Sequence, residues 1–258
     1  MEKPQSHHQR ITKIILKTKK SEICSRIERR QMKKIFLFIV LILNLEHIIA
    51  QDRLQYKLEA FDKIQISGNI DVKMTQTGKE EAILSVNGIE SDKVSIEVEG
   101  RLLKIKVGFF EGKDALVKVW INYQDIREVN VTNGGSLLFI DPIKSDYMKM
   151  TASTGSAIDA RGEFGTLEIK ASAGSRITLE GNADIVEFNA NTTAEIEAEE
   201  LICQEAILKA YTGAKISIHV KQNLEATSAT GAEIIVKGNP SSEKISTSTG
   251  GIINRKNP

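Results

Sequence analysis

The stretch from Val129 to Arg255 repeats itself about every 19 residues. Set one above another, its members read VNVTNGGSLLFI, MKMTASTGSAIDA, LEIKASAGSRITL, VEFNANTTAEIEA, AILKAYTGAKISI, LEATSATGAEIIV and KISTSTGGIINR. An anchor position is held by Gly135, Gly155, Gly174, Thr193, Gly213, Gly231 and Gly250, at successive spacings of 20, 19, 19, 20, 18 and 19 residues. A unit this short cannot bury an apolar face alone, so the copies must stack.

Apolar residues fall at odd offsets from the anchor. Met150, Ile169, Phe188 and Leu208 stand five before it; Leu138, Ile158, Ile177, Ile196, Ile216 and Ile234 stand three after it. Ile140, Ala160 and Leu179 follow five after it, and small residues (Ala152, Ala171, Ala190, Ala210) lie three before it. Even offsets are mostly polar. A period of two means extended chain with one face inward. Each repeat therefore predicts two strands meeting at a tight corner, with Gly135, Gly155, Gly174, Gly213, Gly231 and Gly250 as corner residues. Thr193 in the same column implies that the corner does not demand positive φ in every coil. Stacked at about 4.8 Å, such units make an all-β fold: a single-stranded parallel β-helix with coils of about 19 residues, right-handed by the usual crossover preference. The period of two disfavours an amphipathic helix, and the missing Leu/Asn spacing disfavours a leucine-rich repeat.

Residues 56–125 are also β but less regular. The runs KIQIS, NIDVKM, AILSV, KVSIEV, LLKIKV and ALVKVWI alternate, and turn residues such as Ser67-Gly68-Asn69 and Asn87-Gly88 break them. Glu99-Gly100-Arg101 predicts a hairpin. This part is expected to form an irregular β cap over the first coil, since an uncovered end strand presents free N–H and C=O groups.

Residues 32–50 (MKKIFLFIVLILNLEHIIA) have a short basic start and an apolar core, Ile35–Leu43, too short to span a bilayer as a stable helix. They read as a signal peptide, which places residues 51–258 in the periplasm or outside the cell. Residues 1–31 read as a start-site artefact or an extended basic lead. No Cys follows the apolar core, so no lipid anchor is expected there, and with no room after Pro258 a translocating barrel is not expected either. Residues 1–50 carry 11 Lys/Arg against 4 acids and the remainder 24 against 30. The folded part thus has no basic surplus for nucleic acid. Cys24 and Cys203 are too far apart in role to pair; Cys203 is expected to serve as a small apolar residue. Among the histidines, His219 stands alone in the folded part, so no metal site, triad or cofactor is expected.

The opening FDKIQISGNIDVKM (Phe61–Met74), the later LLKIKV and VKVWI, and the recurrent TGSAI, AGSRI, TGAKI and TGAEI resemble the secreted autotransporter-adhesin head GIN domain family of Bacteroidetes. The resemblance covers roughly Tyr56–Arg255. It implies a β-helix-like secreted domain and an adhesive role, and it carries no catalytic residue onto this chain.

Outer columns were candidates for function. The charges two after the anchor, Arg176, Glu195, Lys215 and Glu233, alternate in sign and are expected to pair between coils. The uncharged column two before the anchor, Asn133, Ser153, Ser172, Asn191, Tyr211 and Ser248, is the candidate binding face for a glycan or a cell-surface protein. The expected function is a non-enzymatic binding or adhesion module. A polysaccharide-active β-helix enzyme and a self-assembling envelope scaffold are the alternatives.

Overall fold

The computed structural model describes residues 53–108 and 115–256. The expected signal peptide, 32–50, and the stretch 1–31 lie outside the described residues. Seventeen strands follow in order: β1 (Arg53–Lys57), β2 (Lys63–Ser67), β3 (Asp71–Gln76), β4 (Glu81–Asn87), β5 (Val94–Glu99), β6 (Leu102–Val107), β7 (Leu116–Tyr123), β8 (Glu128–Thr132) and β9 (Ser136–Phe139). The regular region adds β10 (Ile143–Ser153), β11 (Ala157–Ser172), β12 (Arg176–Asn191), β13 (Glu195–Tyr211), β14 (Lys215–Ala229), β15 (Glu233–Lys237), β16 (Ser242–Ser248) and β17 (Ile252–Lys256). Among the described residues no helix is long and apolar enough to cross a membrane.

From β8 onward every pairing is parallel, and the arms stay in register from coil to coil except for shifts between Thr178 and Glu180 and between Ala198 and Glu205. The parallel solenoid expected from the repeat is therefore the fold. Like residues stack on like: Ile158 on Ile177, Ile177 on Ile196, Ile196 on Ile216, and Ile169 on Phe188. All of them are buried. Each coil has two arms that meet at a sharp corner and are rejoined by a short third side, Gly162–Phe164 in one coil and Gly181–Ala183 in the next. Phe164 and Leu167 both point inward although they are three apart, which marks the bend where the alternation changes phase.

The corner is a two-residue turn with φ of 48–59° at its first residue and 58–79° at its second. These are type I′ values. Gly155, Gly174, Gly213, Gly231 and Gly250 hold the second place, each after a Thr or Ala. Two expectations need correction here. The turn of the coil from β8 to β9 uses Asn133 and Gly134, not Gly135. Asn-Gly is the preferred type I′ pair, and it moves this coil by one residue. Leu137 and Phe139 consequently fill the core, while Leu138 and Ile140 point outward. Thr193, moreover, adopts φ 58°. Positive φ is thus demanded in every one of these coils, and Thr193 meets the demand despite its branched Cβ.

The central peptide of each turn stands along the stacking direction. Gly134 N–H donates to the Thr154 carbonyl, and Gly155, Gly174, Thr193, Gly213 and Gly231 repeat the bond one coil further on, at 3.0–3.1 Å. The backbone ladder thus passes through the corner without interruption.

The β cap expected before the regular coils is present, and part of it is coil too. β2 pairs in parallel with both β6 and β8, and β3 with both β7 and β9. The strands that come first in the sequence therefore lie between two coils that come later. Antiparallel strands finish this end: β5 forms the expected hairpin with β6, β4 pairs with β7, and β1 with β4. Asp62 locks the order. Its carbonyl accepts from Arg127 and Glu128 N–H, its own N–H donates to the Arg101 carbonyl, and its 1% exposed carboxylate accepts from both arginine side chains.

The other end is finished differently. β16 and β17 are exposed along nearly their whole length, and Ile245 is 46% exposed although it occupies a core column. Where the preceding coil has Leu224 and Val236, this one has Glu243 and Arg255, which pair with each other. Inward charge of this kind blunts an edge against further strands.

Candidate functional site

Two outer surfaces combine exposure with order along the stacking direction. The first runs beside the sharp corner. Thr132, Ser153, Ser172 and Asn191 stack there in register, and Tyr211, Ala229 and Ser248 continue the line. Ser153 Oγ donates to Thr132 Oγ1 at 3.0 Å. Asn133 was expected in this column but occupies the turn itself, where its side-chain amide donates to Ser67 Oγ at 3.0 Å. Thr132 takes its place, and Ala229 interrupts the polar line between Tyr211 and Ser248.

Directly inside this ridge sit two buried hydroxyls. Ser156 Oγ accepts from Ser153 N–H at 2.9 Å and donates to the Val131 carbonyl at 2.8 Å. Ser175 does the same with Ser172 N–H and the Ala152 carbonyl, at 3.0 and 2.9 Å. These residues hold the ridge to the coil before it.

The second surface lies on the arm that follows the corner. Trp120, Lys73, Leu138 and Asp159 stand side by side on successive coils. They border a hollow of about 340 Å³ that also touches Asp71 and Lys118. Leu138 and Asp159 form a common wall with a second hollow of about 290 Å³, which continues past Ile140 and Arg161 to Thr178 and Glu180. Arg53 lies over the indole of Trp120, 5.6 Å from its centroid. Asp71 accepts from Ser136 Oγ at 3.0 Å. None of this was foreseen from the sequence. The signals that could have found it were the lone tryptophan and the doubled apolar pairs of SLLFI, of which one member each must face outward.

The charged column two after the anchor behaves as expected. Arg176 pairs with Glu195 at 2.8 Å and Lys215 with Glu233 at 3.9 Å. Cys203 is buried in the short third side; its thiol donates to the His219 carbonyl at 3.4 Å, and burial pushes its pKa up to about 12. A thiol held protonated in this way is unreactive. Among the described residues no cluster of His, Cys, Asp or Glu has the arrangement of a metal site.

Fold and surfaces together define a solenoid whose ordered side chains face outward from stacked strands. The chain belongs to the family described as putative auto-transporter adhesin, head GIN domain, which matches residues 60–240. Solved structures show the same fold. A putative adhesin from Bacteroides fragilis is 16% identical, with a TM-score of 0.69, covering 80% of this chain and 96% of that one. A putative adhesin from Parabacteroides merdae is 19% identical, with a TM-score of 0.64, over 80% and 95%. A putative lipid binding protein from Parabacteroides distasonis is 20% identical, with a TM-score of 0.62, over 80% and 96%. No curated protein was found to match the chain.

Proposed function

We propose that the chain is an exported, non-enzymatic binding module of the cell envelope that contacts a glycan or a cell-surface protein through the ridge beside its sharp corner. The observation that carries this reading is the ridge itself. Ser153, Ser172, Asn191, Tyr211 and Ser248 form a flat, uncharged line held in one orientation by the coils beneath. Repetition at the coil spacing suits a long partner, since all but one of these coils offer a hydroxyl or amide at the same place. The family's description as an adhesin supports binding over catalysis, and the leader-like residues 32–50 support export.

An array of glycans and host-matrix proteins probed with the purified full-length chain, run beside an assay for polysaccharide cleavage, tests the reading. Binding without cleavage is the expected result, and Ser172→Ala with Tyr211→Ser should weaken it. Cleavage products would overturn the reading in favour of a polysaccharide-active enzyme, and concentration-dependent fibres in favour of a scaffold.

A further inference from the structure

The last coil ends the solenoid on two edges that complement each other. β16 pairs with β14 and β17 with β15, and among the described residues each keeps its other edge free. The ladder fixes which backbone groups are open. Ile252 N–H donates back to the Ala232 carbonyl. Alternation then turns the N–H and C=O of Ile253 and Arg255 to the open side. On the other arm Lys149 N–H donates back to the Arg127 carbonyl, and Lys244 stands in the same column. This leaves Glu243, Ile245 and Thr247 open on β16. The side chains of these five residues occupy inward columns, above Leu224, Ala226, Ser228, Ile234 and Val236, all buried. In the last coil that inner face is uncovered: Ile245 is 46% exposed and Ile253 half-buried.

We propose that this end docks on the same end of a second copy, through a two-fold axis at the corner residue Thr249. The axis lays β16 antiparallel on the partner's β17, and β17 on the partner's β16. Inward residues must meet inward residues across such a joint, and two registers near the corner allow it. One sets Ile245 opposite the partner's Arg255 and Thr247 opposite the partner's Ile253. The other sets Glu243 opposite the partner's Arg255 and Ile245 opposite the partner's Ile253. The second register matches charge with charge and apolar with apolar, and the symmetry makes each match twice. The facing residues are those with open backbone groups, so each pair exchanges hydrogen bonds. Glu243 and Arg255 already pair within their own coil; in the joint each carboxylate stands between two guanidiniums. The inward charge that turns other strands away thus admits the copy. A head-to-tail joint lacks this match. At the far end β5 and β1 turn Ile96, Val98, Leu54 and Tyr56 to the inner face, and the Glu243 and Arg255 charges would lose water there against apolar side chains. A joint made of the same surface twice closes as a dimer and does not extend into a fibre. It sets corner on corner, which runs the two ridges into one line, and it holds whatever the ridge binds.

Light scattering of the full-length chain after size exclusion, loaded at about 0.1 mM, tests the dimer. Twice the mass of one chain is expected. Glu243→Arg and Arg255→Glu each set like charges opposite one another across the joint, and each alone should weaken the dimer about tenfold or more. Mixed, the two variants should recover the doubled mass, because every contact between them then joins Arg to Glu. A chain carrying both substitutions should dimerise like the parent. Ile245→Lys, at a place already 46% exposed, should weaken the dimer with an unchanged melting temperature. A monomeric parent, a filament, or a parent dimer that Ile245→Lys and both single charge reversals leave intact overturns the inference. So does a mixture that stays monomeric when both variants melt like the parent. Where a single reversal lowers the melting temperature, the doubly substituted chain decides, since it keeps the pair inside the coil: a dimer supports the joint and a folded monomer overturns it.

Discussion

Ser156 donates its hydroxyl to the Val131 carbonyl across one coil boundary, at 2.8 Å, from a position that is 1% exposed. The next coil repeats the bond from Ser175, but Ala194, Ala214 and Ala232 occupy the same place further along, so the backbone path does not depend on the hydroxyl. Ser156→Ala should therefore cost only about 1 kcal/mol, the net worth of a buried hydrogen bond. Denaturant unfolding should show a lower midpoint with an unchanged slope. A neutral substitution would mean that the Val131 carbonyl finds another partner.

Thr193 and Gly181 should respond in opposite directions. Thr193 takes φ 58° at a place where the other coils have glycine. Relief of left-handed strain is worth about 1–2 kcal/mol, and the added freedom of the unfolded chain takes back about 0.5–1 kcal/mol. Thr193→Gly should thus raise stability slightly, even though it removes the bond from Thr193 Oγ1 to the Thr192 carbonyl at 2.7 Å. Gly181 sits at φ 116° on the far bend, and a Cβ there would collide with the Gly162 carbonyl. Gly181→Ala should cost about 3 kcal/mol or more through overpacking and strain. Gly155→Ala, with open space around the added methyl, should cost only about 1 kcal/mol. Thermal melts of the three variants give the ranking.

Asp62 makes stability depend on acid. Burial alone would push its carboxyl pKa up, but the hydrogen bonds and charges of Arg127 and Arg101 outweigh burial and hold it below the ordinary carboxylate value. A depressed folded-state pKa contributes stability above the unfolded value of about 3.9. That contribution is lost as pH falls through the lower folded value. Asp62→Asn should be less stable than the parent at pH 7, by about 1–3 kcal/mol, and the gap should close as the pH falls below about 4. A gap that stays constant from pH 7 to pH 2.5 would show that the loss comes from packing and not from the charge.

Glu195 lies between Arg176 and Lys215 in one outer column. Glu195→Lys would place three cations in register and should destabilise by about 1 kcal/mol or less, because the pair is largely exposed. Adding Arg176→Glu should restore part of the melting temperature, with Lys215 kept because it pairs with Glu233 on its other side. Recovery in low salt but not in high salt would confirm that the coupling is electrostatic.

Much of the fold was legible because one rule, odd offsets inward, holds along whole arms: Met150, Ile169, Phe188 and Leu208 were all placed correctly in the core. The rule failed where the chain allowed two registers. Gly134 and Gly135 could each hold the corner, and Leu137-Leu138 and Phe139-Ile140 could each supply an inward residue. The tie is broken by the turn chemistry of Asn133-Gly134, a local signal that a column alignment ignores. Gly162 and Gly181 were overlooked for a related reason. Their need for a missing side chain comes from a carbonyl one coil away, and nothing in the repeat marks them. The hollow beside Trp120 was invisible because Lys73, Trp120, Leu138 and Asp159 come from four separate parts of the chain, joined only by coils that stack out of sequence order.

That out-of-order stacking sets a timetable for folding. β2 and β3 are synthesised early, yet each is an interior strand that needs a neighbour on both sides. Their later partners end with β8 and β9, and the contact between Asp62 and Arg127 spans 65 residues, against 19 for the contact between Arg176 and Glu195 in the regular coils. At synthesis rates of about 5–20 residues per second, the first strands wait several seconds with two open edges. Each regular coil, by contrast, closes on the one made just before it. The coils after β8 therefore have the local contacts that favour early assembly, whereas β2 and β3 must wait for partners that come much later in the chain, β8 and β9.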